Sequence, residues 1–285
     1  MSTQWNDLAE LVSVKEMKEQ TNNLLLVDGV NLAFRYIQRK NYNNYTDDYI
    51  RTVTSLGNSY GARRIICCFD SGASAYRKQL FPEYKQNRKV ERTEEEQERF
   101  TQFFNCLTDT IDALPFEHYK FKGIEADDII AYFTKNLSDK YDHTWIISSD
   151  RDLFQLMKHN ISIFNMYSRK EITKDSLLEA HGVCPREYSY ARMIEGDTGD
   201  GINGVEGIGP KRSIALIKEY KNIDNLISSL PLKGGAKYIK NLNNSVEILK
   251  RNEKLINLLD YTSEVICSVE KSDLIKDMLN TALKV

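Results

Sequence analysis

Gly123–Phe133 reads GIEADDIIAYF and sets Glu125, Asp127 and Asp128 at the head of an apolar run with helical spacing. Ile124, Ile129, Ile130 and Phe133 give that helix one buried side. The three acids are then held at its N-terminus, where the helix dipole tolerates negative charge. An acidic first turn is ordinary, and this stretch alone leaves that plain reading open. Three carboxylates in four residues nonetheless repel one another, and a divalent cation among their oxygens offsets the repulsion.

Outward from this segment, three short apolar runs end on acids: LLLVD (24–28), RRIICCFD (63–70) and WIISSDRD (145–152). Each reads as a buried strand. Helical segments are expected after Asn31, near Tyr49–Tyr60, and over LFQLM behind the third strand. Strands alternating with helices in this way predict an α/β fold with a mostly parallel central sheet flanked by helices. Ligands of such sheets lie beyond the carboxyl ends of the strands, where Asp28, Asp70 and Asp150 fall. Asp150 and Asp152 are two apart and face one side if the chain there is extended. GDTGD (196–200) adds Asp197 and Asp200, three apart in a Gly-rich loop or short helical turn. A single acid at a strand end is an ordinary cap. Three strand ends and a helix start that all carry acids point to one shared site.

The nine acids are then Asp28, Asp70, Glu125, Asp127, Asp128, Asp150, Asp152, Asp197 and Asp200. Oxygen-only ligands favour hard ions, Mg²⁺ or Mn²⁺, over zinc. The five cysteines are odd in number and lack CxxC spacing, which argues against zinc knuckles and a disulfide framework. The four histidines, His118, His143, His159 and His181, sit near segment ends and read as structural or exposed. Net charge is −2, yet with those nine acids set aside 32 acids face 39 bases. The remaining surface is basic and suits a polyanion.

Tyr76 to Arg92 carries six bases (Arg77, Lys78, Lys85, Arg88, Lys89, Arg92) against Glu83 and Glu91, with Tyr76, Phe81 and Tyr84 interleaved. Charge for phosphates and flat faces for bases fit a flexible single strand, and a solvated loop fits the same letters. GVEGIGPKR (204–212) places glycines ahead of Pro210 at a helix start, a turn whose amides suit phosphate, with Lys211 and Arg212 adding charge. Pro231–Lys254 supplies further lysines on helices, as a backbone-tracking face or merely a soluble one. The tail LIKDMLNTALKV reads as a final amphipathic helix. In the 285 residues, 41% of them hydrophobic, no run nears the roughly 20 apolar residues of a membrane span. MSTQWNDLAE lacks the features of a secretory signal, so the chain is read as cytoplasmic.

In chain order, LLLVDG, the strand ending at Asp70, PEYKQNR, GIEADD, ISSDRD, GDTGDGI and GVEGIGPKR resemble the flap endonuclease, or 5′-nuclease, family, most of all its phage-encoded members. The chain is also similar to the 5′-nuclease domain of bacterial DNA polymerase I. The match runs from Leu24 to about Asn244. The resemblance implies a PIN-like nuclease core over 24–185 with a helical arch at about 76–112. It also implies a helical DNA-binding region over 186–285, with a helix-three-turn-helix at about 190–220. Residues 1–23 form a polar arm without counterpart in cellular members.

By the same resemblance, Asp28, Asp70, Glu125, Asp127, Asp128, Asp150 and Asp152 hold metal ions, and Asp197 and Asp200 complete a second site. Lys85 and Arg88 touch the scissile phosphate, and cleavage depends on them together with Asp128 and Asp150. Tyr84 stacks near the substrate, Lys89 joins the DNA contacts, and Gly207, Gly209, Lys211 and Arg212 grip duplex, with K⁺ in the loop. The implied activity is two-metal hydrolysis of DNA at a 5′ flap or free 5′ end, extending to RNA in RNA:DNA hybrids. The chain is expected to act as a monomer without a sliding-clamp peptide. Two rivals stand beside this reading. The presence of all nine acids speaks against a non-catalytic DNA-structure-binding protein, and the Gly204 segment speaks against a PIN-type ribonuclease.

Overall fold

A computed structural model of the chain describes residues 21–88 and 91–284. The expected arm through residue 20, and Lys89, lie outside the described residues. Up to the first 3₁₀ turn the elements run β1 (Asn23–Asp28), α1 (Gly29–Ala33), α2 (Thr46–Ser59), β2 (Ala62–Phe69) and α3 (Ala75–Leu80). Then come α4 (Glu94–Asp112), β3 (Glu117–Lys120), α5 (Ala126–Leu137), β4 (His143–Ile147), β5 (Ile161–Asn165) and β6 (Lys170–Ile172). The remainder is helical apart from a two-stranded hairpin: α6 (Lys174–His181), α7 (Pro185–Glu195), β7 (Gly196–Asp197), β8 (Ile202–Asn203), α8 (Pro210–Tyr220), α9 (Ile223–Ser228), α10 (Lys237–Asn243), α11 (Val246–Ile256), α12 (Leu258–Cys267) and α13 (Ser272–Ala282).

The main sheet has the order β3-β2-β1-β4-β5-β6. All its pairings are parallel except β5 with β6. Leu24, Leu25, Leu26 and Val27 of β1 are each 0% exposed, because helices cover both faces and leave no position for a polar residue. Leu24 and Leu26 pack with Ile129, Ile130 and Phe133 of α5 and with Val265 and Ile275 of α12 and α13. Leu25 and Val27 face Tyr49 and Val53 of α2 and Phe103 and Leu107 of α4. Burying one such side chain contributes about 2 kcal/mol, which fixes the register of the strand ends that carry the acids. A third cluster, with Met193, Ile217, Leu242 and Leu249, forms the core of the helical region.

Chain direction across the sheet reverses between β1 and β4, which opens a crevice at their carboxyl ends. Asp28 and Asp150 flank it. Three local expectations change. The helix expected after Asn31 begins at Gly29, since the Asp28 carboxylate already accepts from the Asn31 amide at 3.1 Å. LFQL lies in a 3₁₀ turn over Asp152–Leu156, with Met157 already extended behind it, and β4 stops at Ile147. Asp150 and Asp152 are therefore not on extended chain: the Asp152 amide donates to Asp150 Oδ1 at 2.8 Å and turns the backbone. GDTGD closes the β7–β8 hairpin. Among the described residues no helix is long and apolar enough to cross a membrane.

Candidate metal centre

Asp28 is anchored by Ser148, whose hydroxyl donates to Oδ2 at 2.8 Å, and the Asp150 amide donates to the same Ser148 oxygen at 3.1 Å. Ser148 thus ties the ends of β1 and β4 together. Asp70 lies just beyond β2 and accepts from the Ala126 amide at 2.8 Å, so it caps α5. Asp127, in the first turn of α5, feels the charges of Asp150, Asp28 and Asp70. These acids come from four separate segments and share one region.

Their protonation records the crowding. Burial, then the charge of Asp70, raises Asp28 from 3.8 to about 8, against the pull of Ser148 and the Asn31 amide. Burial and the charge of Asp150 push Asp152 up to about 7. Burial also raises Asp70 and Asp150, and together with neighbouring acids it drives Asp127 well above the carboxylate range. Glu125 goes the other way: burial opposes its charge, but Lys85 and Arg77 outweigh burial and hold it low.

Glu125 accepts from Lys85 Nζ at 2.6 Å, the Tyr84 hydroxyl at 2.8 Å, the Ser74 amide at 3.2 Å and Arg77 Nη1 at 3.3 Å. Asp200 accepts from Tyr84 at 3.0 Å and from Arg88, and lies 3.8 Å from Lys85 Nζ. The backbone of Lys85 bonds the Asp200 carbonyl at 2.8 Å, and Asn87 bonds that of Thr198 at 2.7 Å. The Lys85–Asn87 segment is thereby stapled to the hairpin, and Lys85 takes a left-handed φ of 57° there. Behind the hairpin, a Cβ on Gly196 would sit 2.3 Å from the Gly204 amide, so only glycine permits the approach that places Asp197.

Several expected site residues land elsewhere. Asp128 does not face the other acids: both its oxygens take the fork of Arg77, at 2.7 and 2.8 Å, in a fully buried pair. The cause is helical phase, since neighbours on α5 point about 100° apart and Asp127 already faces the cluster. Arg77 is accordingly no surface base. Tyr84 is 2% exposed and packs in the helical-region core, so its ring has no free face for stacking. Asp197 and Asp200 pair with different bases, Asp197 with Arg192 at 2.6 Å and Asp200 with Lys85 and Arg88, while the charges of both act on Asp150 and Asp152. Gly207 has a left-handed φ of 84°, Gly209 caps α8, and Lys211 is exposed. Arg212 folds back to the Gly207 carbonyl at 2.6 Å and lies over the Tyr238 ring.

Arg77, Ser148 and Arg192 are the site residues that sequence reasoning overlooked. Arg192 had one signal: a base in the last turn of a helix that runs straight into GDTGD.

Among the described residues, no three ligand side chains already close on one point as a metal cage. The donor chemistry nevertheless fits hard cations. The donors are carboxylates alone, and the crowded acids with raised pKa values hold protons that a divalent ion would replace. Beside them a cavity of about 440 Å³ is lined by Phe34, Phe104 and Leu107 together with Lys85, Arg88 and Asp70.

Residues 23–182 match the 5′-3′ exonuclease N-terminal resolvase-like domain, and 183–276 match the 5′-3′ exonuclease C-terminal SAM fold. The chain is 38% identical over 291 residues to the flap endonuclease of Escherichia phage T5, covering 99% of each. It is 29% identical to the 5′-3′ exonuclease of Bacillus subtilis, covering 91% of this chain and 88% of that one. A crystal structure of the phage T5 flap endonuclease with DNA and metal ions superposes with a TM-score of 0.88 at 37% identity, over 92% of this chain and 100% of that one. Matched along nearly its whole length in sequence and in fold, the chain belongs to the 5′-3′ exonuclease and flap endonuclease family of nucleases.

Proposed function

We propose that the chain hydrolyses phosphodiester bonds of DNA at 5′ flaps and free 5′ ends, with RNA in RNA:DNA hybrids as a further substrate, using Mg²⁺, or Mn²⁺ in its place. One observation carries the reading: buried and half-buried acids from separate segments share the switch point of the sheet, beside Lys85 and Arg88. Asp28, Asp70, Asp127 and Asp150 are the residues for a first ion, with Asp152, Asp197, Asp200 and Glu125 for a second. Bound there, divalent ions supply an activated water and a counter-charge for the leaving oxygen.

The chain's own residues do the rest. A phosphate approaching so many acids is repelled unless cations meet it, and Lys85 and Arg88 supply that charge at the arch base. The Phe34–Phe104 wall of the neighbouring cavity offers an apolar face for an unstacked base. The Gly204–Arg212 turn and Lys211 suit the phosphates of a duplex, with K⁺ held by loop carbonyls other than that of Gly207. We further read the chain as a monomer of the cytoplasm, divided at about residue 185 between nuclease core and DNA-binding helices.

Cleavage of a 5′-flap substrate with Mg²⁺, abolished by EDTA, tests the proposal; cleavage that persists in EDTA refutes it. Lys85→Ala is expected to slow single-turnover cleavage about a hundredfold while weakening DNA binding only a few-fold. Equal single-turnover rates for parent and variant would remove Lys85 from the chemistry.

Stability gives an independent readout. Asp28 titrates near 3.8 unfolded and about 8 folded, so between those values the folded chain holds a proton that the unfolded chain has lost. The stability this proton contributes is complete below about pH 4 and vanishes as pH rises through about 8. Mg²⁺ takes the proton's place, so it is expected to raise Tm more at pH 8 than at pH 5. At a hundredfold excess over its dissociation constant the gain is about 2.7 kcal/mol. An equal Mg²⁺ effect on Tm at both pH values counts against the site.

A further inference from the structure

The acids divide by the company they keep. Among the described residues, lysine or arginine pairs with Glu125, Asp152, Asp197 and Asp200, and none pairs with Asp28, Asp70, Asp127 or Asp150. Within the first set two bases bridge separate segments: Lys85 lies between Glu125 and Asp200, and Arg192 lies between Asp152 and Asp197. Arg192, in the last turn of α7, places Nη2 2.6 Å from Asp197 Oδ2 and 3.3 Å from Asp152 Oδ1, with Nε 3.4 Å from the same Asp152 oxygen.

Resting on the metal reading above, we propose that Arg192 is a built-in counter-ion of the second half of the cluster: a divalent cation enters between Asp152 and Asp197 only by displacing its guanidinium, so the two halves load unequally. A guanidinium keeps its proton throughout the working pH range, so it competes as a permanent charge. Its side chain is only 18% exposed, which keeps water from screening the contact. A helix C-terminus favours a cation at that place even before the acids are counted. At Asp28, Asp70, Asp127 and Asp150 an incoming ion meets no lysine or arginine in direct contact with the carboxylates, among the described residues. Arg192 is thus a positioning residue for ion entry, distinct from the phosphate-facing Lys85 and Arg88.

Mn²⁺ titration of the full chain without DNA, read by the electron paramagnetic resonance of free Mn²⁺, tests this. The parent is expected to bind one ion tightly and a second more weakly. Arg192→Gln is expected to leave the first unchanged and tighten the second about tenfold, within the usual range of coupling between sites. Arg192→Lys keeps the charge, loses the fork and should fall between; it also carries the test if the glutamine variant fails to fold. A purely structural Arg192 makes the opposite forecast, because acids left unheld bind the second ion more weakly. An unchanged or weakened second ion in the variants overturns the inference. Absence of Mn²⁺ binding in parent and variants alike overturns the metal reading itself, so the two failures are distinguishable.

Discussion

Asp150→Asn is expected to lower flap cleavage at least about a thousandfold and, at the same time, to raise the Tm of the metal-free chain. Asp150 is the acid that the two halves of the cluster share. Its charge acts on Asp28, Asp127 and Asp152, and it feels those of Asp200 and Asp197 in turn. A carboxylate so placed is the one that two ions would both need. Losing it forfeits about 4 kcal/mol of transition-state stabilisation. Asparagine keeps the Oδ1 that accepts the Asp152 amide, so the turn survives. What disappears is repulsion among buried acids, which is the origin of the gain in stability. Single-turnover cleavage together with thermal unfolding in EDTA measures both effects. A variant cleaving within tenfold of the parent would end the assignment.

The placement of Asp28, Asp70 and Asp150 was legible because it follows from topology alone. Short apolar runs alternating with helices leave few arrangements other than a parallel sheet, and strand ends of such a sheet share one edge. Side-chain direction was less legible. In GIEADD the spacing puts three acids together, while the helix turns by about 100° per residue and sends Asp127 and Asp128 apart. One signal was present: Asp128 lies four residues after Ile124, on the stripe that Ile124 and Ile129 bury, so it was bound for the interior and needed a cation. Composition also misjudged the stretch from Tyr76 to Arg92. Bases interleaved with aromatic rings describe a nucleic-acid surface, yet Tyr84 and Arg77 from that stretch are interior residues that hold Glu125 in place. Composition counts charges and rings, and only packing decides which of them water reaches.

Asp128→Ala should show the reverse signature: a loss of about 3 kcal/mol in stability with the affinity for a first Mn²⁺ unchanged within twofold. Arg77 is 3% exposed and relies on Asp128 for both guanidinium contacts shorter than 3 Å to a carboxylate. Truncating one partner of a buried pair leaves the other charged and dry, a cost of about 3–5 kcal/mol. Glu125 retains its contact with Arg77 at 3.3 Å, which places the loss at the lower end. Arg77 Nε also donates to the Leu255 carbonyl at 2.8 Å, at the end of α11. The damage therefore reaches the attachment of the helical region to the sheet. Urea unfolding should show the lower midpoint, and the double change Arg77→Met with Asp128→Leu should recover most of the loss, because it removes both charges and fills the space with apolar atoms. Were Asp128→Ala to unfold at the parent's urea midpoint and yet lose Mn²⁺, the carboxylate would belong with the metal ligands, and the Arg77 pair would be secondary.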